Sequence, residues 1–371
     1  MCLSKPNLSI IIPVFNEAKT LQSLFAALEL QRGLALEIIF SVSCCDDGSE
    51  MLIAQYSVRS KHKIVVVPSA KGRAVQMNRG AEKASGDLLL FLHADSSWHL
   101  PYLLRDAVEF FNQEAHACQP AQIAAHFRLK FQHKDKKQKF YRYLGEKSAL
   151  NRHGTIYGDQ GIMLGKSLWH GVGPYREDVS ALEDVFFANA VEKKATWVLL
   201  PQLISTSTRR YVNEGICSRI TLNTLLIIAG GTGLLDCSSS SPQAAAAPDG
   251  DRDQSVCQLL EYCAQRLQRL PIKQYFAFWY SCAHIIMEYS WFACYVCGWL
   301  IPYASAQQRE SMLAVHERFV LPLLLKPPCG WILGILSWLV FYLFYLFVVY
   351  SGPILHGLKI HNSNLGELHD L

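Results

Sequence analysis

The first hundred residues alternate short apolar runs, rich in β-branched side chains, with segments of helical periodicity. The apolar runs lie at 8–14, 36–42, 63–68 and 87–92, and the helical patterns lie at 17–30, 51–60 and 74–85. Continuous apolar runs that alternate with helices are typical of parallel strands covered on both faces. We therefore predict an α/β fold, Rossmann-like, with a mostly parallel sheet flanked by helices.

The next hundred residues have a more mixed pattern. It predicts helices at 102–112, 137–149 and 183–194, a strand at 121–131 and a glycine-rich loop at 154–165. A polar, low-complexity stretch, "SSSSPQAAAAPDGDRDQS", follows at 238–255 and offers little to bury in a core. We expect a first domain at 1–236, a linker at 237–256 and a separate region at 257–371.

The C-terminal region is apolar enough to suggest a membrane. The run 331–351 contains no Asp, Glu, Lys or Arg, and about 20 apolar residues suffice for a spanning helix. A second run, 275–301, contains one formal charge, Glu288, with His284 one helical turn before it. We predict a hairpin of two transmembrane helices, an interfacial location being the alternative for 275–301. The N-terminus lacks a signal-peptide pattern, so we expect the first domain to face the cytoplasm.

Composition excludes several classes of function. The net charge of +4 is small and dispersed, which argues against nucleic acid as a partner. The 12 cysteines lack metal-ligand spacing, and the one CxxC, Cys294 to Cys297, lies in an apolar run. We expect these cysteines to be reduced, small apolar residues.

Polar residues follow each of the four predicted strands. They are Phe15-Asn16-Glu17, Cys44 to Ser49, Lys71-Gly72-Arg73 and His93-Ala94-Asp95. Each group alone is explained by turn chemistry, but ligands of open parallel sheets bind at the carboxyl ends of the strands. We expect Asp95 to face a cleft shared with Asp46 and Arg73. Carboxylates beside cations suit a nucleoside diphosphate bound with Mg²⁺ or Mn²⁺.

Six motifs in order resemble family 2 glycosyltransferases of the GT-A fold. They are "LSIIIPVFNEA", "CDDGS", "GRAVQMNRGAEKASGDLLLFLHADS", "GDQGIML", "LEDVFFANAV" and "STSTRRY", and they cover about residues 7 to 235. The "FLHAD" and "GDQGI" motifs look especially like a bacterial-type subgroup. The resemblance implies inverting transfer of a hexose from a UDP- or GDP-sugar, with Mg²⁺ or Mn²⁺ as cofactor.

The resemblance also implies roles for the matching residues. Asp184 would be the general base with Glu183 beside it, and Asp95 would bind the metal. The residues expected to contact the nucleotide sugar are Pro13, Glu17, Asp46, Arg73, Asn78, Asp95, Asp159, Gln160, Arg209 and Arg210. The sequence departs from the family pattern at two places, because His93 replaces the first Asp of the DxD signature and "DGSEM" replaces "DGSTD".

Two other functions fit the same residues. One is a nucleotidyltransferase, which usually has a glycine-rich basic loop after the first strand where this chain has "VFNEA". The other is a catalytically inactive, membrane-bound protein that binds nucleotide sugars or acts as a scaffold. The acceptor stays open as well. The apolar C-terminal runs favour a lipid-linked acceptor, and their alternative role is that of a simple anchor.

Overall fold

The structure is a computed structural model that describes residues 6–118, 123–133, 137–179, 181–235, 252–301 and 304–343. The chain divides into two compact units, Met1–Asn213 and Glu214–Leu371. The division falls earlier than the expected boundary at 236. Of the expected linker, 237–251 lies outside the described residues, and a helix begins at Arg252.

The first unit is built on a seven-stranded sheet with the order β3-β2-β1-β4-β6-β5-β7. The strands are β1 (Leu8–Val14), β2 (Leu36–Val42), β3 (Lys63–Pro68), β4 (Leu88–Phe91), β5 (Ile123–Gln132), β6 (Ile162–Gly165) and β7 (Thr196–Ser207). The helices are α1 (Ala18–Leu30), α2 (Ser49–Arg59), α3 (Arg73–Lys83), α4 (Leu103–Cys118), α5 (Gln138–Ser148), α6 (Lys166–Val172), α7 (Glu183–Glu192) and α8 (Arg209–Glu214), with a 3₁₀ turn at Gly158–Gln160.

The strand pairing confirms an α/β fold with a mostly parallel sheet. β1 pairs in parallel with β2 and β4, β2 pairs in parallel with β3, and β5 pairs in parallel with β7. β6 runs antiparallel to both β4 and β5, which makes the sheet mixed. The four strands β1 to β4 therefore end at one common edge, as the sequence pattern predicts.

Alternating residues of the central strand pack into two separate core layers. Ile10 and Ile12 face the layer that contains α1 and α4, and Ile11 faces the layer that contains α3. A Cβ on Gly80 would lie 2.4 Å from Ile11 Cγ2, so α3 approaches the sheet more closely than a side chain would allow. This contact holds α3 against the sheet, and the first residue of the helix is Arg73.

The second unit is helical over its described residues. Its helices are α9 (Ile216–Gly231), α10 (Arg252–Gln268), α11 (Ile272–Glu288), α12 (Ser290–Leu300), α13 (Ala306–Val315), α14 (Leu321–Leu324) and α15 (Pro327–Leu343), with a π-helical segment at His316–Val320. A Cβ on Gly231 would lie 2.8 Å from Ile285 Cδ1, so α9 packs closely on α11. This contact explains why α9 groups with the second unit and not with the first.

The predicted helix at 275–301 is wrong as a single element, because α11 ends at Glu288 and α12 begins at Ser290. The Ser290 hydroxyl donates to the Met287 carbonyl at 2.5 Å, and such local bonds compete with helix continuation. His284 packs its ring against Tyr280 with centroids 4.7 Å apart, and Glu288 is exposed. Residues 344–351 of the other predicted span lie outside the described residues.

None of the described helices meets, by itself, the length and hydropathy criteria for a membrane span. A pair of helices meets them jointly, Ala306–Leu324 with Pro327–Leu343, and the two arms are bent by 89°.

Candidate active site

The loops after β1 and β2 form one hydrogen-bonded structure at the carboxyl edge of the sheet. Pro13 lies in β1 opposite Ser41 of β2. Asn16 has a left-handed backbone, φ 54°, and its side-chain oxygen accepts from the Asp46 N–H at 3.1 Å. The Asn16 N–H in turn donates to Cys45 Sγ at 3.4 Å. The two loops therefore hold each other in place.

The paired aspartates of the β2 loop divide their roles. The Asp47 carboxylate accepts from the Ala18 N–H at 2.8 Å and from the Ser49 hydroxyl at 2.6 Å, so it joins the starts of α1 and α2. Burial alone would raise the pKa of Asp47, but these hydrogen bonds have the larger effect, and its pKa is lowered overall. The Asp46 side chain is exposed. Asp47 is thus occupied by the loop, whereas the Asp46 carboxylate is open to solvent.

Glu17 and Arg209 connect the start of α1 to the start of α8. Arg209 Nη2 lies 3.1 Å from both carboxylate oxygens of Glu17. The Thr20 hydroxyl donates to Glu17 Oε2 at 2.9 Å, which fixes the carboxylate from its other side. Two residues predicted to contact the nucleotide sugar are therefore in direct contact, although 192 positions separate them in the chain.

A second ion pair joins α3 to α7. Arg73 Nη1 donates to Glu183 Oε1 at 2.9 Å, and the Glu183 side chain is only 8% exposed. Burial lowers the pKa of Arg73, but the carboxylates of Glu183, Asp184 and Asp95 more than reverse this and raise it. The guanidinium thus stays charged amid three carboxylates.

Asp184 is held by two backbone donors. Gly158 N–H donates to its Oδ2 at 2.8 Å, and Val185 N–H donates to its Oδ1 at 2.9 Å. Burial and the neighbouring Glu183 carboxylate raise the pKa of Asp184, against the opposing effect of the two N–H groups and Arg73. The residue before this acidic pair, Leu182, has φ 64°, a conformation that costs about 1–3 kcal/mol and is concentrated at functional sites.

The 3₁₀ turn at Gly158–Gln160 passes between His93 and Asp184. A Cβ on Gly158 would lie 2.8 Å from His93 Nε2 and 3.2 Å from Asp184 Oδ2. Within the described residues, His93 Nε2 and Asp159 Oδ1 are buried without a hydrogen-bond partner. Buried polar atoms in native proteins are rarely unpaired, and a polar ligand bound beside this turn would supply partners for both.

Asp159 carries a strongly perturbed carboxyl group. Burial and the carboxylates of Asp184 and Asp95 raise its pKa to about 7, while Arg210 and Lys147 act in the opposite direction. Burial lowers the pKa of Lys147 to about 8, partly offset by Asp159. Lys147 also lies over the Tyr157 ring, with Nζ 5.2 Å from the centroid. Sequence analysis missed Lys147, because its helix reads simply as a basic surface helix.

Two predicted contact residues are turned into the protein. The Asn78 amide donates to the Tyr175 carbonyl and to Glu177, and its oxygen accepts from the Tyr175 N–H at 2.8 Å. Gln160 is buried and donates to the Thr155 carbonyl at 2.6 Å. The structure thus shows both amides in internal hydrogen bonds, beside rather than among the charged groups of the site.

Asp95 and Arg210 complete the group. Asp95 is half-buried and close enough to influence the pKa of Arg73 and of Asp159. Arg210 is exposed and acts on the pKa of His93, which burial, Arg73 and Arg210 together lower well below its usual range. His93 is therefore neutral, and its replacement of an aspartate removes one negative charge from the site.

Across the described chain, no three His, Cys, Asp or Glu side chains are arranged to enclose a metal ion. Mg²⁺ and related cations usually keep several waters and need only one or two protein carboxylates beside a substrate phosphate. Asp95, with the unpaired Asp159 Oδ1 and His93 Nε2 in the same site, fits a cation of this kind.

Comparison with known proteins agrees with this chemistry. The sequence model described as "Glycosyl transferase family 2" matches residues 9–171. Glycosyltransferase AglE of Haloferax volcanii is 31% identical over 108 residues, covering 28% of this chain and 36% of that protein. The putative teichuronic acid biosynthesis glycosyltransferase TuaG of Bacillus subtilis is 27% identical over 95 residues, covering 25% and 38%.

These matches support a glycosyltransferase domain of family 2 in the N-terminal part of the chain. The matched segments span little more than a third of those two relatives. The bacterial-type subgroup with "FLHAD" and "GDQGI" stays a prediction.

Solved structures with a similar chain course include two nucleotide-sugar complexes. The mannosyltransferase PcManGT from Pyrobaculum calidifontis in complex with GDP-Man and Mn²⁺ has a TM-score of 0.47 at 15% identity, covering 85% of this chain and 88% of that one. Staphylococcus aureus TarS 1–349 in complex with UDP-GlcNAc has a TM-score of 0.44 at 11% identity, covering 84% and 91%.

Proposed function

We propose that this protein is an inverting, metal-dependent glycosyltransferase of the GT-A type that transfers a hexose from a UDP- or GDP-sugar. The observation that carries the proposal is the setting of Asp184. Two backbone N–H groups fix its carboxylate, burial raises its pKa, and the Arg73–Glu183 ion pair lies beside it. The match of residues 9–171 to family 2 supports the same reaction.

Asp184 would remove the proton from the acceptor hydroxyl. A general base works best when its pKa is near the working pH, and such proton transfer typically contributes about 10²–10⁴-fold to the rate. The N–H donors of Gly158 and Val185 hold the carboxylate in one orientation, which limits the angles from which a hydroxyl can approach. Attack from the side opposite the leaving nucleotide inverts the anomeric centre.

The leaving nucleoside diphosphate gains negative charge during the transfer. Arg73, Arg209 and Arg210 would place positive charge beside it, Arg73 and Arg209 by exchanging their carboxylate partners for diphosphate oxygens, and electrostatic stabilisation of this kind is usually the largest catalytic term. Asp95 would hold the divalent cation. When bound, that cation neutralises diphosphate oxygens. At the other end of the donor, Pro13, Glu17 and Asp46 would line the nucleoside. Asp159 would complete the sugar side, whereas Asn78 and Gln160, whose amides bond within the protein, would support the walls of the site and not touch the sugar.

The acceptor in this proposal is lipid-linked, and the protein acts at a membrane with its catalytic domain in the cytoplasm. The exposed apolar side chains of the second unit, such as Trp331, Ile335 and Val340, support this part, since a soluble acceptor would not require them. A soluble acceptor, with the second unit as a simple anchor, is the alternative.

Titration of the full chain with UDP and with GDP, each with and without Mn²⁺, tests the donor and metal assignments. We expect metal-dependent binding of one nucleotide, slow hydrolysis of its sugar conjugates, and loss of the Mn²⁺ effect in Asp95→Ala. Asp106→Ala is the matched control, because this carboxylate on α4 is 45% exposed and pairs with the neighbouring Arg105. Formation of a nucleotide–phosphate bond would establish a nucleotidyltransferase instead. Binding without any turnover, across a panel of donors and acceptors, would establish a binding protein.

A further inference from the structure

On α15, large apolar side chains are exposed and glycines are buried, which is the opposite of the pattern on a helix that faces water. Its buried positions include Gly330 and Gly334, and its exposed positions include Trp331, Ile335 and Val340, the last two being 64% and 63% exposed. In a helix on the surface of a soluble protein, large apolar residues face inward and polar ones face outward. Single exposed apolar residues are normal, but a helix exposed in this way needs an apolar environment.

The two glycines bring α15 very close to α11. A Cβ on Gly330 would lie 2.9 Å from the Tyr280 ring, and one on Gly334 would lie 3.0 Å from the Trp279 carbonyl oxygen. Further along, Trp279 contacts Phe341, with ring centroids 5.7 Å apart. Small residues spaced four apart are typical of helix pairs in membranes, where close packing replaces hydrophobic burial as the source of association.

Two polar side-chain atoms of α15 have partners inside the helix pair. Trp338 Nε1 donates to the Tyr275 hydroxyl at 2.7 Å, and the Ser337 hydroxyl donates to the Leu333 carbonyl at 2.6 Å. The sequence has no Asp, Glu, Lys or Arg from Pro327 to Leu343. Internal pairing of this kind is what a hydrocarbon environment demands of a polar group.

Charge is placed at the bend that precedes α15. The exposed residues of the first arm are mainly polar as far as Arg318, and those from Phe319 to Leu325 are apolar. Lys326 then stands at the corner, where the chain turns by 89° into α15. Cations that flank an apolar segment suit the anionic headgroup layer, with one arm along the membrane surface and the other entering it.

We propose that α11 and α15 form an antiparallel pair within a lipid bilayer, packed through Gly330 and Gly334, with Arg318 and Lys326 at the headgroups. The exposed apolar side chains of α15 face acyl chains. This inference rests on the membrane location proposed above. It adds the face of α15 that packs on α11, the face that contacts lipid, and the two cations, Arg318 and Lys326, that lie at the depth of the headgroups.

Photolabelling from the lipid phase tests the arrangement. The full chain is reconstituted in phosphatidylcholine–phosphatidylglycerol vesicles that contain a phospholipid with a diazirine in its acyl chain. After irradiation, mass spectrometry maps the labelled residues. We expect label on Ile335, Leu339 and Leu343 and none on Gly334. Val58 of the first unit, which is 88% exposed, is the control residue and should stay unlabelled.

A pair of variants separates the two faces of the helix. Ile335→Asn should reduce the fraction retained on vesicles after an alkaline carbonate wash. Gly334→Leu should keep that fraction and change the fluorescence of Trp279 by separating the helices. If the protein binds the vesicles but carries no label in 327–343, the inference is overturned; a second copy that covers these side chains would give this result. If the protein does not bind the vesicles at all, both the inference and the membrane location are overturned. Nucleotide titration of the same preparation reports on sugar transfer independently.

Discussion

At the residue scale, both carboxylate oxygens of Asp184, the proposed base, are already engaged in hydrogen bonds. Each oxygen of Asp184 accepts one backbone N–H, from Val185 and from Gly158. The usual isosteric replacement, asparagine, has only one accepting oxygen. In Asp184→Asn, one of the two N–H groups therefore faces an amide NH₂ group and loses its acceptor. This substitution tests both proton transfer and local structure.

We expect Asp184→Asn to reduce transfer by about 10²-fold or more. The N–H left without an acceptor should cost about 1–3 kcal/mol of folding free energy, while nucleotide affinity stays near wild type. Transfer assays, thermal unfolding and nucleotide titration measure the three effects. Glu192→Gln, an exposed carboxylate in the last turn of the same helix, is the control and should leave transfer intact. Near-normal transfer by the Asp184 variant would contradict its role as base.

The raised pKa of Asp159 makes stability depend on pH in a definite direction. Its pKa rises from an ordinary 3.8 to about 7 in the folded protein. Between these values the folded state binds more protons than the unfolded state, so the stability that Asp159 provides falls as pH rises. We expect Asp159→Asn to become more stable relative to wild type from pH 4 to pH 8, in thermal unfolding without metal or nucleotide.

Lys147→Met provides the second arm of this experiment. Lys147 acts to lower the pKa of Asp159, so its removal should move the pH window upward. A difference between Asp159→Asn and wild type that is constant with pH would show that the carboxyl group does not titrate in this range.

At the element scale, the central strands were predictable and the later ones were not. β1, β2 and β3 have the predicted bounds, because each is an apolar run bordered by turn residues. β6 has only four residues and lies inside the predicted glycine-rich loop. β7 contains an exposed proline, Pro201, and so lacks a continuous apolar pattern. Its position in the sheet depends on long-range pairing with β5, which no local pattern reports.

In the candidate site, too, contacts between distant segments could not be predicted from local sequence patterns. Arg73, Glu183 and Asp184 all lie in the quoted motifs, and the structure brings them into one group through an ion pair and electrostatic contacts. Motif order could not reveal that Asn78 would bind the backbone of Tyr175, because that contact joins segments 97 positions apart. Lys147 has no motif at all. Its location follows from α5, where a Cβ on Gly145 would lie 2.9 Å from the Leu129 carbonyl oxygen.

The 3₁₀ turn at Gly158–Gln160 has no room for a side chain at Gly158. Gly158→Ala would place a methyl group 2.8 Å from His93 Nε2 and 3.2 Å from Asp184 Oδ2. We expect transfer to fall because the turn must shift and the Gly158 N–H then loses its alignment with Asp184. Gly165→Ala, whose Cβ would meet only Ser167 Oγ at 3.6 Å, is the matched control. Equal transfer rates for the two variants would show that the turn tolerates displacement.

At the scale of the whole molecule, the division after Asn213 decides where the chain can be shortened. A chain ending at Asn213 should be soluble and bind nucleotide. A chain ending at 236 should aggregate, because it retains α9 without the helices that cover it, including Ile285 of α11. Size-exclusion chromatography and nucleotide titration of both products check this. Similar behaviour of the two would place the boundary at the linker.

The two ion pairs of the site have a consequence for turnover. In the ligand-free protein, Arg73 is neutralised by Glu183, and Arg209 by Glu17. Under the proposed function, a departing nucleoside diphosphate would leave behind no bare, partly buried cation, since Arg73 and Arg209 each have a resident carboxylate to which they can return. Product inhibition would then be weakened, because the resident carboxylates compete with the spent nucleotide for the same guanidinium groups. Such a site would give up some affinity for its product and gain a faster return to the empty state.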